Sequence, residues 1–266
     1  MIGSINKYVT LGIVALLLLG GGYYLYTQTP DEKHNVDLLS EEGGLETSSE
    51  EVEYIPGAIG WYAEPVEEGE YPGVVMIHEW WGLNEHIKNM AEELAAEGYR
   101  VLAVDLFGSV ATTPEEARTQ TSTLNQEEAL ANMYAAKHYL KDRGAERIAS
   151  LGWCFGGRQS VEFSIAGEVL DATVVYYGSG IPTTTDELSP IEWPVLGIFG
   201  EEDQSIPVEV VRAFEDSLDT LSVENEIYLY PNVEHAFANP SGMSYAPEET
   251  QDAWAKTLTF LEKHLK

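Results

Sequence analysis

The stretch Gly152-Trp153-Cys154-Phe155-Gly156-Gly157 decides how the rest of the chain is interpreted. It follows an apolar run at residues 147–151 and precedes a segment with helical spacing at residues 158–167. Glycines two positions before and two positions after a central residue are typical of the sharp strand-to-helix turn that exposes a nucleophilic side chain. A Cβ at either glycine would clash where backbone segments approach each other, so the spacing predicts such a turn with Cys154 at its apex.

Cys154 is the only cysteine in the chain, which excludes an intramolecular disulfide and a cysteine-rich zinc site. A single free cysteine is often a small buried apolar residue without a chemical role. At a strand-to-helix turn, however, the amide dipoles of the helix N-terminus point at the sulfur and favour the thiolate form. The strand, the glycines and the helix therefore favour a nucleophile.

The composition indicates a globular chain with a strongly acidic surface. Its 266 residues, 44% of them hydrophobic, are enough for one large α/β domain and an N-terminal appendage. The 45 Asp and Glu residues against 14 Lys and Arg give a formal net charge of −31, which disfavours binding to nucleic acid. Two explanations of this acidity stay open, adaptation to high salt and a generally acidic exported surface.

The N-terminal segment has the composition of a membrane anchor. Residues 9–26 carry no charge and, at about 18 residues, are near the shortest helix that spans a bilayer. Lys7 precedes this run and Asp31 follows it, so the positive-inside rule places the remainder of the chain outside the cytoplasm. We expect residues 1–27 to be an uncleaved transmembrane helix, with signal cleavage and secretion as the alternative. Residues 28–51 are acidic and rich in Ser, Thr and Gly, which predicts a disordered tether to a domain of residues 52–266.

Strand and helix patterns alternate along that domain. Apolar runs predict strands at 59–63, 73–77, 99–106, 147–151, 172–178, 195–200 and 224–230. Helical spacing predicts helices at 84–97, 126–141, 158–167, 207–218 and 247–264, and the polar residues 112–125 are interpreted as a loop with some helix. This alternation indicates an α/β fold, a mostly parallel sheet covered by helices on both faces, with the chemistry at the carboxyl ends of the strands.

A cysteine nucleophile needs a base, and the base needs an acid that orients it. At a nucleophile turn of this kind the chain order is nucleophile, acid, histidine. Asp203 follows the predicted strand 195–200 and His235 follows the strand 224–230, which is that order. Asp203 could instead cap the next helix, and His235 could be an ordinary surface histidine. Together with the turn, the order favours a triad of Cys154, His235 and Asp203.

Residues 77–82, Ile-His-Glu-Trp-Trp-Gly, directly follow a predicted buried strand. This position commonly supplies one backbone N–H of an oxyanion hole, and the residue after the nucleophile supplies the other. We therefore expect the N–H groups of Trp80 and Phe155 to stabilise a developing oxyanion. Glu79 would lie close to the thiol, where two acidic groups share one proton, unless it is one more surface acid.

These residues resemble the dienelactone hydrolases, also called carboxymethylenebutenolidases, of the α/β-hydrolase superfamily. The resemblance covers residues 59–264 and rests on six motifs in order: His-Glu-Trp-Trp-Gly-Leu-Asn at 78–84, Asp-Leu-Phe-Gly at 105–108, Gly-Trp-Cys-Phe-Gly-Gly at 152–157, Tyr-Tyr-Gly at 176–178, Gly-Glu-Glu-Asp at 200–203 and His-Ala-Phe at 235–237. It implies an α/β-hydrolase fold and a catalytic Cys154, Asp203 and His235. It also implies that Glu79 contacts the resting thiol and accepts its proton when substrate arrives, and that Trp80 and Phe155 form the oxyanion hole.

One position departs from the family pattern. Dienelactone hydrolases that act on chlorocatechol breakdown products hold the substrate carboxylate partly through an arginine four residues after the histidine, and this chain has Asn239 there. Asparagine cannot make the bidentate charged contact of an arginine, although Arg118 or Arg158 could compensate. The expected apolar substrate pocket is lined by Trp80, Trp81, Trp153, Tyr176 and Phe237, with core packing as the alternative for all five and above all for Trp153 and Tyr176.

The sequence therefore predicts a membrane-anchored cysteine hydrolase that cleaves ester or lactone bonds of a small-molecule substrate through an acyl-enzyme and without a cofactor. Metal-dependent hydrolysis is not expected, because His34, His78 and His86 form no pair with ligand-like spacing. The alternative is an extracytoplasmic binding or scaffold protein that keeps the fold without turnover. The intact set of triad positions argues against that alternative.

Overall fold

A computed structural model describes residues 44–266. Within this range the strands are β1 (Thr47–Ile55), β2 (Ala58–Pro65), β3 (Gly73–Ile77), β4 (Arg100–Val104), β5 (Ile148–Trp153), β6 (Ala172–Tyr176), β7 (Val195–Gly200) and β8 (Asn225–Tyr230). The helices are α1 (Glu85–Ala96), α2 (Pro114–Thr123), α3 (Gln126–Asp142), α4 (Phe155–Ile165), α5 (Thr185–Leu188), α6 (Val208–Thr220) and α7 (Pro247–Leu265). The predicted anchor, and the predicted tether as far as residue 43, lie outside the described residues.

The strands form one mixed sheet in the order β1-β2-β4-β3-β5-β6-β7-β8. β2 pairs antiparallel with both β1 and β4, and all other neighbours are parallel. The register aligns Ile77 with Val104 and with Gly152, so β3, β4 and β5 end at the same edge. This edge carries the loops that hold the predicted site residues.

The central strands are buried on both faces, as their continuous apolar runs predict. Every residue of β3, β5, β6 and β7 is buried. A strand that hides both of its faces requires cover on each side of the sheet, and the helices of the alternating pattern supply it. The prediction of a mostly parallel sheet between helices is confirmed.

The sheet begins earlier in the chain than predicted. Residues 47–51, assigned to the disordered tether, form the first half of β1 and pair with residues 61–65 of β2. The acidic composition of this stretch suits an exposed edge strand, since Glu50, Glu51 and Glu53 face solvent while Val52 and Tyr54 pack on the core. Pairing with β2 satisfies the backbone hydrogen bonds of β1, although the strand has few apolar side chains. For this reason the polar sequence of residues 47–51 predicted a tether instead of a strand.

Residues 114–123 form a regular helix, α2, where a loop with some helix was predicted. The side chain of Thr113 accepts a hydrogen bond from the N–H of Glu116, and Pro114 occupies the first turn. Ala117 is the one buried residue of the helix. Capping by threonine and proline, not an apolar face, therefore defines this helix.

No helix in the part of the chain covered by the structure is long and apolar enough to cross a membrane. The predicted transmembrane helix at residues 1–27 lies outside that part.

Candidate active site

Cys154 stands at a sharp turn between β5 and α4 and has a φ of 53°, in the region that favours glycine. Its N–H donates to the carbonyl oxygen of Tyr176 at 3.0 Å, which ties the turn to β6. A Cβ on Gly152 would lie 2.1 Å from the carbonyl oxygen of Gly156, and a Cβ on Gly156 would lie 2.2 Å from that of Ile77. Both glycines are thus required by close backbone approach, as the spacing predicts.

A continuous hydrogen-bonded chain runs from Cys154 to Asp203. His235 Nε2 lies 3.1 Å from the Cys154 sulfur, and His235 Nδ1 lies 2.7 Å from Asp203 Oδ2. The other oxygen of Asp203 accepts the N–H groups of Ser205 at 2.7 Å and Ile206 at 3.1 Å. The carboxylate is therefore fixed by its own loop and holds the imidazole in one orientation.

Asp203 does not cap a helix, which was the alternative interpretation. Helix α6 starts at Val208, and its N-cap residue is Pro207. The interaction with His235 is electrostatically strong: burial lowers the pKa of His235, but the hydrogen bonds to Asp203 and Cys154 outweigh this and raise it to about 10. The imidazole accordingly holds its proton at neutral pH and can pair with the thiolate once Cys154 has lost its own proton.

Glu79 is buried, with 3% of its surface exposed, at the end of β3. Burial raises the pKa of its carboxyl to about 7, against the opposing influences of His235 and of the hydrogen bond from Asn239. That bond runs from Asn239 Nδ2 to Glu79 Oε2. Among residues 44–266 no hydrogen bond joins Glu79 to Cys154, so the resting contact implied by the family resemblance is replaced here by a contact with Asn239.

The orientation of the Asn239 amide follows from its other neighbour. Asn239 Oδ1 accepts the N–H of Ser241 at 2.9 Å and its hydroxyl at 2.7 Å. A backbone N–H can only donate, so the oxygen of the amide must face Ser241 and the nitrogen must face Glu79. Asn239 was predicted as a pocket residue. In the structure its side chain donates a hydrogen bond to the Glu79 carboxyl.

His78 orients the peptide bond that carries the Trp80 N–H. Leu106 donates its N–H to His78 Nε2 at 3.1 Å, so Nδ1 carries the ring proton and donates to the carbonyl oxygen of Glu79 at 2.6 Å. Burial lowers the pKa of His78, which keeps the ring neutral. The C=O and N–H of a trans peptide point in opposite directions, so this bond turns the N–H of Trp80 away from His78.

The two predicted oxyanion donors have unused N–H groups. Phe155 is the first residue of α4, where backbone N–H groups have no partner within the helix. In the described range no acceptor bonds to the N–H of Phe155 or of Trp80. Both residues also stand next to the predicted catalytic side chains, since Trp80 follows Glu79 and Phe155 follows Cys154.

Three of the predicted pocket residues, Trp153, Tyr176 and Phe237, lie in the core. Tyr176 is fully buried and its hydroxyl bonds to Thr257 of α7 at 2.6 Å. Phe237 is also fully buried, and its ring centroid lies 5.7 Å from that of Tyr177. Trp80 and Trp81 are both half-buried, and their rings pack edge-on with centroids 4.9 Å apart.

Tyr177 is the residue that the sequence interpretation missed. Its ring lies edge-on to His235 with centroids 5.3 Å apart, and its backbone φ is 35°. The hydroxyl is buried without a hydrogen-bond partner among the described residues, and burial, followed by the charges of Glu79 and Cys154, raises its pKa well above the ordinary value. Tyr177 directly follows the last residue of β6, at the carboxyl edge of the sheet. This position in the sequence could have identified it as a site residue.

Neither Arg118 nor Arg158, the possible substitutes for a carboxylate-binding arginine, forms an ion pair or hydrogen bond with Cys154, Glu79 or Asn239 in the part of the chain that the structure describes. Arg158 pairs with Glu162 on its own helix at 3.2 Å, and Arg118 is exposed on α2. Within residues 44–266 no three His, Cys, Asp or Glu side chains are grouped as metal ligands.

Comparison with known proteins agrees with this architecture. A protein of Synechocystis sp. with the provisional name carboxymethylenebutenolidase is 32% identical over 230 residues, covering 78% of this chain and 92% of its own length. A Saccharolobus solfataricus protein with the same provisional name is 29% identical over 231 residues, covering 71% and 88%. A crystal structure of a provisionally named dienelactone hydrolase from Klebsiella pneumoniae superimposes with a TM-score of 0.75 at 26% identity, covering 82% of this chain and 99% of that one. The sequence model of the dienelactone hydrolase family matches residues 59–265, and the chain therefore belongs to that family.

Proposed function

We propose that this protein hydrolyses carboxylic esters or lactones, with Cys154 as nucleophile, His235 as acid and base, and Asp203 as the group that orients His235. The observation that carries the proposal is the hydrogen-bonded chain of these three side chains at the strained turn. His235 Nε2 lies 3.1 Å from the Cys154 sulfur, and His235 Nδ1 lies 2.7 Å from Asp203 Oδ2. Membership of the dienelactone hydrolase family supports the same reaction class. The binding or scaffold alternative has no observation in its favour.

In the first half of the reaction the Cys154 thiolate attacks the substrate carbonyl carbon. The carbonyl oxygen becomes an oxyanion that accepts the N–H groups of Trp80 and Phe155. Collapse of this intermediate re-forms the C=O bond and breaks the bond to the leaving alkoxide, which takes the proton of the His235 imidazolium. An alcohol leaves, or stays attached if the substrate is a lactone, and a thioester on Cys154 remains.

The second half regenerates the enzyme. Neutral His235 removes a proton from water, and the resulting hydroxide attacks the thioester carbon. The oxyanion forms again at the same two N–H groups, the C–S bond breaks, and the thiolate is recovered beside an imidazolium. Asp203 keeps its hydrogen bond to His235 Nδ1 and stabilises the charged ring, while its second oxygen stays anchored by the N–H groups of Ser205 and Ile206.

Glu79 supports the resting state of this cycle. Burial raises the pKa of its carboxyl to about 7, so this group can both accept and release a proton near neutral pH. We propose that Glu79 accepts the thiol proton as substrate binds and returns it to the Cys154 thiolate after the product has left. Asn239 holds the Glu79 carboxylate in place to accept that proton.

Variants of the full-length protein test the nucleophile and the base. Cys154→Ala is expected to abolish hydrolysis of p-nitrophenyl acetate, and His235→Gln to lower kcat/KM by about 10³-fold or more. His138→Gln, an exposed histidine on α3, is the matched control and should behave as wild type. Because Cys154 is the only cysteine, rapid acid quenching and intact-mass analysis should detect a single acyl adduct that Cys154→Ala lacks. Full activity of Cys154→Ala would remove the nucleophile assignment.

We also propose that residues 1–27 anchor the protein in a membrane with the hydrolase domain outside the cytoplasm. The uncharged run at 9–26 and the acidic residues that follow it support this arrangement. Membrane fractionation with protease accessibility, and the intact mass of the mature chain, separate an anchored protein from one released by signal cleavage. A full-length chain in the soluble cytoplasmic fraction would contradict both.

A further inference from the structure

We infer that the site selects uncharged esters and lactones and discriminates against substrates that carry a carboxylate. The inference rests on the proposed function and names the substrate class of that same site. It follows from how the side chains around Cys154 distribute charge and hydrogen-bonding capacity.

Negative groups outnumber positive ones at the site. Cys154, Asp203 and Glu79 can each carry a negative charge, and only His235 can carry a positive one. Asp203 and Glu79 are both nearly inaccessible to solvent, at 4% and 3% exposure, so their charges are weakly screened. A second carboxylate brought in by a substrate would meet a net negative field.

Asn239 cannot offset this field. Its oxygen is used by both donors of Ser241, and its nitrogen donates to Glu79. The residue is 5% exposed, and what remains is at most one neutral N–H. A neutral N–H lacks the charge and the two-pronged geometry with which an arginine holds a carboxylate.

The lysine and arginine side chains of the described residues make their contacts outside the site. Across residues 44–266 no lysine or arginine forms an ion pair or hydrogen bond with Cys154, Asp203, Glu79 or Asn239. Arg158, on the first turn after the nucleophile, is bound to Glu162. The formal charge of −31 over the whole chain adds long-range repulsion of anions at low ionic strength.

A matched pair of substrates tests the inference on the full-length enzyme. Mono-p-nitrophenyl adipate carries a free carboxylate, and its methyl ester has the same acyl chain and leaving group without the charge. We expect kcat/KM, divided by the hydroxide-catalysed rate of each ester, to favour the uncharged member by about 10-fold to 100-fold in 20 mM salt. In 1 M NaCl the part of the preference that comes from the surface charge of the whole chain should be lost, whereas the part that comes from the buried Asp203 and Glu79 should remain.

Variants assign the preference to its source. Glu79→Gln removes one negative charge and is expected to narrow the ratio of the two kcat/KM values, whatever it does to the absolute rates. Asn239→Arg should narrow it further if the buried position tolerates the change. Asp216→Asn, an exposed acid on α6, is the control and should leave the ratio as in wild type.

The outcomes separate this inference from the proposed function. Equal use of the two adipates, or preference for the charged one, overturns the inference while hydrolysis itself stands. Hydrolysis of p-nitrophenyl acetate with refusal of both adipates also overturns it, because an uncharged ester was rejected. Failure of all three esters overturns the proposed function and the inference together.

Discussion

At the scale of single residues, Cys154 is held in a backbone conformation that costs free energy. Its φ of 53° and ψ of −113° lie outside the regions that L-residues prefer. Such conformations cost on the order of 1–3 kcal/mol and persist where the surrounding structure enforces them. Here the enforcing contacts are the close backbone approaches at Gly152 and Gly156.

This strain reverses the usual stability order of alanine and glycine. We expect Cys154→Gly to have a free energy of unfolding about 1 kcal/mol higher than Cys154→Ala, because glycine adopts this conformation without strain. In the exposed interior of α3, Ala131→Gly should instead lower it by about 1 kcal/mol. Urea denaturation of the three variants and wild type measures both differences. A Cys154→Gly variant less stable than Cys154→Ala would contradict the strain.

Glu79 makes stability depend on pH. Its carboxyl has an ordinary pKa of 4.5, raised to about 7 in the folded protein, so the folded state binds the proton more tightly than the unfolded state. The folded protein is therefore most stable below pH 4.5 with respect to this group, and the contribution is lost as pH rises to about 7. We expect Glu79→Gln to gain stability relative to wild type over this interval, by up to about 3 kcal/mol.

The measurement is denaturant unfolding of both proteins at pH 5, 6, 7 and 8. Glu146→Gln, an exposed glutamate before β5, is the control and should show a difference from wild type that is independent of pH. The comparison of variants matters because Glu93, whose pKa burial also raises to about 7, changes wild type and Glu79→Gln alike. A constant difference between Glu79→Gln and wild type would show that Glu79 is not perturbed.

At the scale of elements, β1 covers the edge of the sheet that β2 would otherwise expose. β1 contributes the half-buried Val52 and Tyr54, and the Tyr54 hydroxyl bonds to Asn132 of α3. Its outward face is acidic, which discourages pairing with a further chain. Without β1, β2 becomes an edge strand with less charge and more apolar surface.

Two truncations therefore should differ sharply. A chain of residues 44–266 retains all of β1 and is expected to unfold cooperatively, whereas residues 56–266 should melt several degrees lower and aggregate at lower concentration. Thermal unfolding by circular dichroism with light scattering measures both properties. If the two truncations have the same melting temperature and the same tendency to aggregate, β1 does not contribute to the stability of the sheet.

At the scale of the whole molecule, the net charge of −31 opposes the compact state. The Debye length falls from about 10 Å at 0.1 M salt to about 3 Å at 1 M, which removes most repulsion between exposed carboxylates. We expect the Tm to rise by several degrees between 20 mM and 1 M NaCl at pH 7.5. Most of the gain should appear below about 0.5 M.

A repeat of the salt series at pH 4.5 is the control for this prediction. Protonation of many carboxylates reduces the charge there, so the same salt should add less to the Tm. A Tm that is flat or falling with salt at pH 7.5 would mean that the acidic surface does not destabilise the fold. A rise of equal size at both pH values would point to a general salt effect instead of charge screening.

The sequence by itself determined the sheet, the turn and the order of the candidate triad. Continuous apolar runs identify strands buried on both faces, and the glycines around Cys154 identify a turn whose backbone contacts only glycine permits. These signals can be recognised in short stretches of the sequence, although the backbone clash that Gly156 avoids is with the distant Ile77. Asp203 and His235 each follow a strand of the same parallel sheet as Cys154. Because parallel strands end at one edge, the three residues are expected to lie at the same edge.

Only the tertiary structure decided which side chains meet at that edge. Asn239 and Glu79 are 160 residues apart in the chain, and their hydrogen bond depends on the orientation of an amide set by Ser241. The choice of Tyr177 over Tyr176 as the neighbour of His235 likewise depends on the twist of the chain where β6 ends. β1 joined the sheet because β2 offered it a backbone edge, although its own composition resembles a tether. Contacts of this kind join residues that are far apart in the sequence. The sequence around one partner does not indicate which distant residue it will contact.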